Sequence, residues 1–310
     1  MSTRLELCTL PTPVEPAPRL ATAIGLAPDS LWIKRDDLVG LGGGGNKVRK
    51  LERLCAAALE AGATTLVTTG AAQSNHARLT AAAGARLGLA VELVLAGAGD
   101  APPAGNLLLD HLFGARLHWA GEVSHEQLET IAQDRVAALD HAYRVPYGGT
   151  DALAAGAYAD AGREAELQLP GADHHVVAVG SGGTMAGLVA GLDADRVLGV
   201  DTGATRDPRG RVEALVRELD ADPAGLRLRT DQVGDGYSVV TGAVQSALLT
   251  AARADGLVLD PIYTGRAMAG LVAAVSDGDV GPEDRVLFWH TGGLPGLFGS
   301  QPAVDWVAGL

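Results

Sequence analysis

Lysine is almost absent from this chain of 310 residues. Only Lys34, Lys47 and Lys50 occur among the 24 basic residues, and the rest are arginines. A nucleotide bias that favours arginine explains the ratio, but it implies that arginine would not serve at these three positions. Because its guanidinium stays protonated near neutral pH, arginine cannot act as an amine nucleophile. Its planar guanidinium also binds anions with a different geometry from the ammonium group of lysine. The three lysines are therefore candidates for special roles.

Cysteine is also scarce, since the chain contains only Cys8 and Cys55. Two cysteines make no disulfide framework, and their spacing matches no metal site. We interpret them as free thiols, which predicts a reducing, cytoplasmic location. The eight histidines show no His-Glu-x-x-His or similar spacing, so we expect no metal site.

The chain lacks both a basic excess and a long apolar run. Its net charge of −13 disfavours binding to the phosphate backbone of a nucleic acid. The longest apolar stretch, residues 87–98, is interrupted by Glu92 and is shorter than the roughly 20 residues that a membrane helix needs. Residues 1–6 lack the layout of a signal peptide. We expect a soluble cytoplasmic protein without nucleic-acid or membrane partners.

Apolar, β-branched segments alternate with helical segments along most of the chain. This alternation predicts an α/β fold with parallel sheets and helices on both faces. The proline-rich opening, residues 11–28, is expected to be extended, and Asn46 is expected to cap the next helix. Strands are predicted at residues 31–37, 64–69, 91–95, 116–119, 174–179, 196–200 and 285–289, and helices at residues 46–61, 74–87, 104–113, 124–141, 151–169, 184–191, 207–219, 239–255 and 265–276.

The first glycine-rich segment, residues 42–50, precedes a predicted helix and contains two of the lysines. A flexible turn is its simplest interpretation. A Walker loop is excluded, because Asn46 precedes Lys47 and Val48 follows it. The positive end of the helix is expected to lower the pKa of the Lys47 amine. A deprotonated amine is what a Schiff base requires.

Two further glycine-rich segments follow predicted strands. Residues 179–184, Val-Gly-Ser-Gly-Gly-Thr, lead into a helix, where backbone N–H groups bind phosphate well. A dinucleotide-binding enzyme is an alternative, because Asp201 lies where a ribose-binding acid would be, although Met185 replaces the third glycine. Residues 290–293, His-Thr-Gly-Gly, follow the last predicted strand, at the sheet edge where ligands bind.

Residues 73–76, Gln-Ser-Asn-His, lie between a predicted strand and a helix. Helix capping by Ser74 or Asn75 would explain them without any function. Alternatively, Ser74 and the N–H groups of the helix start would suit a substrate carboxylate. A serine hydrolase is disfavoured, because Ser74 lacks a Gly-x-Ser-x-Gly context.

Five motifs occur in order along the chain: residues 44–52, 73–76, 180–184, 260–265 and 290–293. Together they resemble the D-cysteine desulfhydrase and 1-aminocyclopropane-1-carboxylate deaminase family. Its members belong to the tryptophan synthase β-like, fold type II, pyridoxal-phosphate enzymes. The resemblance extends over nearly the whole chain, and it implies pyridoxal 5′-phosphate as cofactor and a small amino acid as substrate.

The resemblance also implies a role for each motif. Lys47 would hold the cofactor as a Schiff base, Asn75 would contact its 3′-oxygen, and Thr291 would face its pyridine nitrogen. The phosphate would be bound by Lys50, Ser181, Gly182, Gly183 and Thr184. The substrate would contact Ser74, Asn75, His76, Tyr237, Tyr263 and Thr264, and the catalytic residues would be Lys47, Ser74 and Tyr263.

The family architecture implies two α/β domains with the cofactor between them. The large domain would comprise residues 1–50 and 158–310, and the small domain residues 51–157. Homodimers are usual in the family, so a homodimer is expected here.

Three positions separate the two branches of this family. The deaminase branch carries Glu, Gln and Leu where this chain has Thr264, His76 and Thr291, so the desulfhydrase branch is favoured. The implied reaction is β-elimination from D-cysteine to pyruvate, ammonia and sulfide. Residues 236–241, Gly-Tyr-Ser-Val-Val-Thr, depart from the usual Gly-Tyr-Gly-Val-Pro-Asn beside Tyr237. An L-cysteate sulfo-lyase, another carbon–sulfur lyase, a deaminase and a sensor without turnover are therefore kept as alternatives.

Overall fold

The structure is a computed structural model that describes residues 5–100 and 103–310. Residues 1–4, part of the segment considered for a signal peptide, lie outside the described residues. Strands are β1 (Val14–Pro16), β2 (Leu31–Lys34), β3 (Thr65–Ala71), β4 (Ala90–Ala96), β5 (Arg116–Trp119), β6 (Ala142–Arg144), β7 (His174–Val179), β8 (Val197–Asp201), β9 (Arg227–Arg229) and β10 (Val286–Trp289). Helices are α1 (Pro18–Ala23), α2 (Lys47–Glu60), α3 (Asn75–Leu87), α4 (Gly105–Leu112), α5 (His125–Ala137), α6 (Ala152–Gln168), α7 (Gly183–Gly191), α8 (Pro208–Glu218), α9 (Gly242–Asp255), α10 (Thr264–Asp277), α11 (Leu294–Phe298) and α12 (Gln301–Ala308).

The larger sheet has six strands in the order β1-β2-β10-β7-β8-β9. The predicted parallel pairing is confirmed for β2 and β7 to β10, whereas β1 pairs antiparallel with β2. The extended conformation predicted for residues 11–28 is thus correct at β1 but wrong at α1. Pro18 stands in the first turn of α1, where its fixed φ suits a helix and its missing N–H costs no hydrogen bond.

Helices cover both faces of this sheet, as its apolar strands require. Alternate residues of one strand point to opposite faces. Phe288 of β10 packs in a cluster with α1, α9 and α10, whereas its neighbour Trp289 packs with α6, α7 and α8. The described residues include no helix with the length and apolarity to cross a membrane.

The smaller sheet has four parallel strands in the order β5-β4-β3-β6. Its strands come from the middle of the chain, which agrees with a small α/β domain, but the boundaries at residues 51 and 157 stay a prediction. Strand β6 is absent from the sequence prediction, because three residues are too short to show alternation.

Two predicted helices are too long. Helix α5 ends at Ala137 rather than at residue 141, and His141 itself has a φ of 55°, which a helix does not allow. Helix α9 begins at Gly242 rather than at residue 239, because the Thr241 hydroxyl caps it by accepting the N–H of Val244. Residues 230–241 therefore form an irregular segment before α9.

Candidate active site

A cavity of about 310 Å³ lies where strands of both sheets end. Its walls include residues that follow the C-terminal ends of β3, β7 and β10, the edge at which open α/β sheets bind ligands. This volume lies in the range of small-molecule sites, roughly 300 to 1,000 Å³. The predicted site residues that line it are Lys47, Ser74, Asn75, His76, Ser181, Gly182, Thr184, Tyr237, Tyr263 and Thr291.

Lys47 is the first residue of α2, and its Nζ donates a hydrogen bond of 3.0 Å to the carbonyl oxygen of Gly148. The pKa of Lys47 is lowered to about 8, and burial of the amine is the cause. The sequence predicts the direction but attributes it to the helix start. Asn46 occupies the N-cap position of α2 as predicted, but its side chain makes no capping hydrogen bond. Its Nδ2 instead donates to Thr184 Oγ1 over 2.9 Å, which ties α2 to α7.

The loop after β7 ends at Gly182, which precedes α7 with a φ of 87° and no side-chain cap. The first N–H groups of α7 are therefore available to an anion. Behind this loop, Thr150 Oγ1 lies 2.7 Å from Ser181 Oγ and 3.2 Å from Lys50 Nζ. Lys50 is fully buried, and burial together with Lys47 lowers its pKa. Lys50 and Gly183, both predicted to bind phosphate, are not among the described residues that line the cavity.

His76 follows Ser74, which caps α3 by accepting the N–H of Ala77. His76 Nε2 lies 2.8 Å from Thr68 Oγ1, whose hydroxyl donates to the Val145 carbonyl. Nε2 must therefore carry the proton, and this tautomer is assigned from the network. Burial lowers the pKa of His76, so the ring is neutral. Its buried Nδ1 has no partner among the described residues and can only accept a hydrogen bond.

Two tyrosines meet on the other side of the cavity. The hydroxyl oxygens of Tyr237 and Tyr263 are 2.5 Å apart, with the rings edge to face. Burial raises the pKa of Tyr237 to about 12 and that of Tyr263 well above its ordinary value. Both phenols are therefore protonated at neutral pH.

The predicted pocket residue Thr264 points elsewhere. It is fully buried, and its Oγ1 donates to Asp260 Oδ1 over 2.7 Å. It is not among the residues that line the cavity. Tyr147, absent from the prediction, does line it, and its ring contacts His125 with centroids 4.4 Å apart. Its only signal in the sequence is its place beside the Gly148-Gly149 turn.

A known protein family matches residues 5–292 of the chain, under the description pyridoxal-phosphate dependent enzyme. The chain belongs to this family. The dinucleotide-binding alternative is thereby excluded. The match covers the glycine loop, the Lys47 helix start and the Thr291 turn.

Individual relatives of this pyridoxal-phosphate dependent enzyme agree with that assignment. A D-cysteine desulfhydrase from Klebsiella pneumoniae (strain 342) is 39% identical over 320 aligned positions, which cover 96% of each chain. The crystal structure of an ACC deaminase homologue has a TM-score of 0.90 and 34% identity, over 99% of this chain and 96% of that one. The processed threonine deaminase isoform 2 of Solanum lycopersicum has a TM-score of 0.71 and 18% identity, over 96% and 88%. The fold is that of the fold type II enzymes, as predicted.

The cavity fits pyridoxal phosphate. A buried amine with a lowered pKa, Lys47, stands at one wall. The uncapped start of α7, with the Ser181 and Thr184 hydroxyls beside it, offers donors to a phosphate. A methyl group on Gly180 would come within 3.0 Å of the Tyr263 ring, so the glycine keeps this part of the cavity open.

Proposed function

We propose that the enzyme eliminates a thiol from a small β-substituted amino acid, with D-cysteine as its substrate and pyruvate, ammonia and sulfide as products. One observation carries the proposal. The described residues that line the cavity include no aspartate, glutamate or arginine, so proton transfer is left to its lysine, its tyrosines and its two histidines, His76 and His125. The 39% identity to a protein named D-cysteine desulfhydrase supports the same substrate.

We assign the cofactor contacts as follows. Lys47 holds pyridoxal phosphate covalently, and the start of α7 with Lys50 behind it binds the phosphate. Asn75 contacts the 3′-oxygen and Thr291 faces the pyridine nitrogen. These roles are supported by the common cavity of Lys47, Asn75, Thr184 and Thr291.

Ser74 and the N–H groups at the start of α3 bind the substrate carboxylate. The His76 ring cannot donate to that carboxylate, because its unpartnered Nδ1 lacks a proton. We therefore assign His76 a backbone contact and the role of holding the start of α3 against Thr68.

Bound pyridoxal phosphate supplies an electron sink for the electrons left at the α-carbon. Once the substrate amine has replaced it on the cofactor, Lys47 would be free to remove the α-proton, and burial of its amine favours the uncharged form. Tyr263, protonated at neutral pH, gives a proton to the departing sulfur, with Tyr237 hydrogen-bonded to it. The Cβ–S bond breaks with both electrons on sulfur. Water then converts the remaining three-carbon unit to pyruvate and ammonia.

Ring opening of aminocyclopropane-carboxylate lacks a good leaving group and needs more acid–base help than a thiol. The cavity offers no carboxylate for this, and Thr264 is engaged with Asp260. An enzyme that releases a sulfonate would be expected to bind this anion with an arginine, and no arginine is among the described lining residues. These two observations favour D-cysteine over both alternatives.

The test is pyruvate and 2-oxobutyrate release from D-cysteine, L-cysteine, L-cysteate, β-chloro-D-alanine and aminocyclopropane-carboxylate, with Lys47→Ala as control. We expect pyruvate from D-cysteine and little 2-oxobutyrate. Tyr263→Phe should slow turnover and leave cofactor absorbance intact. Efficient 2-oxobutyrate formation, or pyruvate from L-cysteate alone, would contradict the proposal.

We also propose a cytoplasmic homodimer. The free thiols of Cys8 and Cys55 suit a reducing compartment. Exposed apolar side chains on the contacting helices α4 and α11, namely Leu108, Leu112, Leu294 and Phe298, offer a surface for a second copy. Light scattering at several concentrations tests this, and a monomer at all of them would exclude it.

A further inference from the structure

Arg266 is a fully buried arginine that the proposed reaction does not use. It lies in the first turn of α10, three residues after Tyr263. Among the described residues, its guanidinium hydrogen-bonds to no carboxylate. Four backbone carbonyls accept hydrogen bonds from it instead: Nη1 donates to Thr202, and the two protons of Nη2 are shared among Gly236 at 2.8 Å and Tyr237 and Val239 at 2.9 Å. Nε has no partner among the described residues.

A buried cation without a hydrogen-bonded counter-ion costs free energy unless other hydrogen bonds satisfy it. Here burial lowers the pKa of Arg266, although Asp201 and Asp260 oppose the shift from a distance. Charge-assisted bonds to carbonyls offset part of this cost. An apolar side chain would fill the same space more cheaply, so the bonds to the carbonyls are the feature that distinguishes arginine here.

Three of the four carbonyls belong to the irregular segment before α9. Residues 232–240, all of them described, contain one backbone–backbone hydrogen bond, from Val239 N to Gly236 O at 3.3 Å. Neither a sheet nor a helix restrains this stretch, and ordering such a backbone costs conformational entropy. Arg266 therefore provides most of the hydrogen bonds that fix its path.

The held segment carries Tyr237. Tyr237 as a whole residue is 37% exposed, but its hydroxyl lies in the cavity, 2.5 Å from that of Tyr263. The arginine bonds the carbonyls of Gly236 and Tyr237 itself, and thus fixes the backbone from which the ring projects. It does so from the helix that begins directly after Tyr263.

We propose that Arg266 is the positioning residue of the active-site tyrosine pair, holding the backbone of Tyr237 so that its hydroxyl stays bonded to that of Tyr263. The inference rests on the proposed function, because that function assigns proton transfer to the pair.

The first test is hydrogen exchange of the holoenzyme, which needs no turnover. Lysine at position 266 keeps the charge but lacks the planar fork that bonds several carbonyls. We expect Arg266→Lys to speed exchange of the Val239 amide, the one amide in residues 232–240 with a backbone hydrogen bond, by about 10-fold or more, with β7 and β10 unchanged. Arg196→Lys is the matched control, since Arg196 bonds Glu166 and the Ala172 carbonyl outside the cavity. Unchanged exchange in Arg266→Lys would overturn the proposal.

The second test is a double-mutant cycle with Tyr237→Phe. Misplacing a reacting group can cost about 10- to 100-fold in rate, so Arg266→Lys should lower kcat/KM by about 10-fold in the wild-type background. In the Tyr237→Phe background the loss should nearly vanish, because the positioned hydroxyl is gone. Equal losses in both backgrounds would show a general structural role and overturn the proposal.

If Arg266→Lys does not fold, Val239→Gly replaces it in the double-mutant cycle. Glycine makes the backbone of the same segment more flexible, so its loss of kcat/KM should likewise nearly vanish in the Tyr237→Phe background. The proposed function and the role of Arg266 can fail independently. If D-cysteine yields no pyruvate, the proposed function is refuted, but hydrogen exchange in residues 232–240 still tests the role of Arg266. The double-mutant cycle is then measured with whichever assayed amino acid the wild type converts.

Discussion

Lys47 Nζ donates a hydrogen bond to the carbonyl oxygen of Gly148, 3.0 Å away. Gly148 has a φ of 62°, and a Cβ there would come within 2.7 Å of the Ser181 side chain. A glycine at this turn therefore lets the carbonyl reach the amine while the Ser181 side chain packs against the turn. The carbonyl oxygen accepts a hydrogen bond from the amine, and Lys47 lines the cavity.

Capture of pyridoxal phosphate by the apo-enzyme should follow the ionisation of Lys47. Burial lowers its pKa to about 8, and only the neutral amine attacks a carbonyl. The capture rate should rise as pH increases through about 8 and level off above it. Stopped-flow absorbance of apo-enzyme mixed with cofactor measures this. A midpoint near that of an ordinary lysine would contradict the burial argument.

Borohydride reduction of the holoenzyme should attach the cofactor to Lys47 alone. Lys34 is buried outside the cavity, where its ammonium donates to Thr12 O, Glu164 and Gln168. These three bonds use its three protons and explain why lysine is kept there. Peptide mapping locates the label, and Lys47→Ala should carry none. A label on Lys34 or Lys50 would end the assignment.

Substitutions at Lys50 and Gly182 should weaken cofactor retention more than they alter the chemistry of the loaded enzyme. Gly182 has a φ of 87°, and a Cβ there would lie 3.3 Å from Arg211 and Val212. Gly182→Val therefore strains the loop that would bind phosphate, and Lys50→Ala removes the cation behind it. Titration of apo-enzyme with pyridoxal phosphate should show affinity reduced by about 10-fold or more. Unchanged affinity in both variants would refute the phosphate site.

Local sequence predicts most of the fold and many of the residues that line the cavity. Lys47, Ser74 and Ser181 each lie in a short motif beside a strand or helix end, so pattern alone places them at the sheet edge. Thr264 could not be placed this way. Consecutive residues of a helix point about 100° apart, so Tyr263 faces the cavity while Thr264 faces Asp260.

Long-range contacts account for what the sequence does not predict. Tyr147 reaches the cavity because β6 pairs with β3, more than 70 residues earlier in the chain. Arg266 meets Tyr237 across the irregular segment, and no spacing rule relates the two. The burial of Asp110 is also not predictable from its neighbours in sequence. Its carboxyl is buried and has no hydrogen-bond partner among the described residues.

Asp110 should make the protein less stable as pH rises. Neither carboxylate oxygen has a partner among the described residues, and burial raises the pKa to about 7 against an ordinary value of 3.8, with Arg78 opposing. Between these values the folded state holds a proton that the unfolded state has lost, so the free energy of unfolding falls with rising pH and levels off above about 7. The total effect is on the order of a few kcal/mol.

Asp110→Asn tests this because an amide cannot ionise. The variant's advantage over wild type should be smaller at pH 5 than at pH 8, because the loss of wild-type stability begins near pH 3.8 and is complete only above about 7. At pH 8 the variant should be the more stable, with a higher urea midpoint and the same m-value. Asp134→Asn, on the exposed face of α5, is the control and should show no such trend. A stability difference between wild type and Asp110→Asn that stays constant from pH 5 to pH 8 would mean that Asp110 ionises normally, and that its carboxylate is not isolated inside the fold.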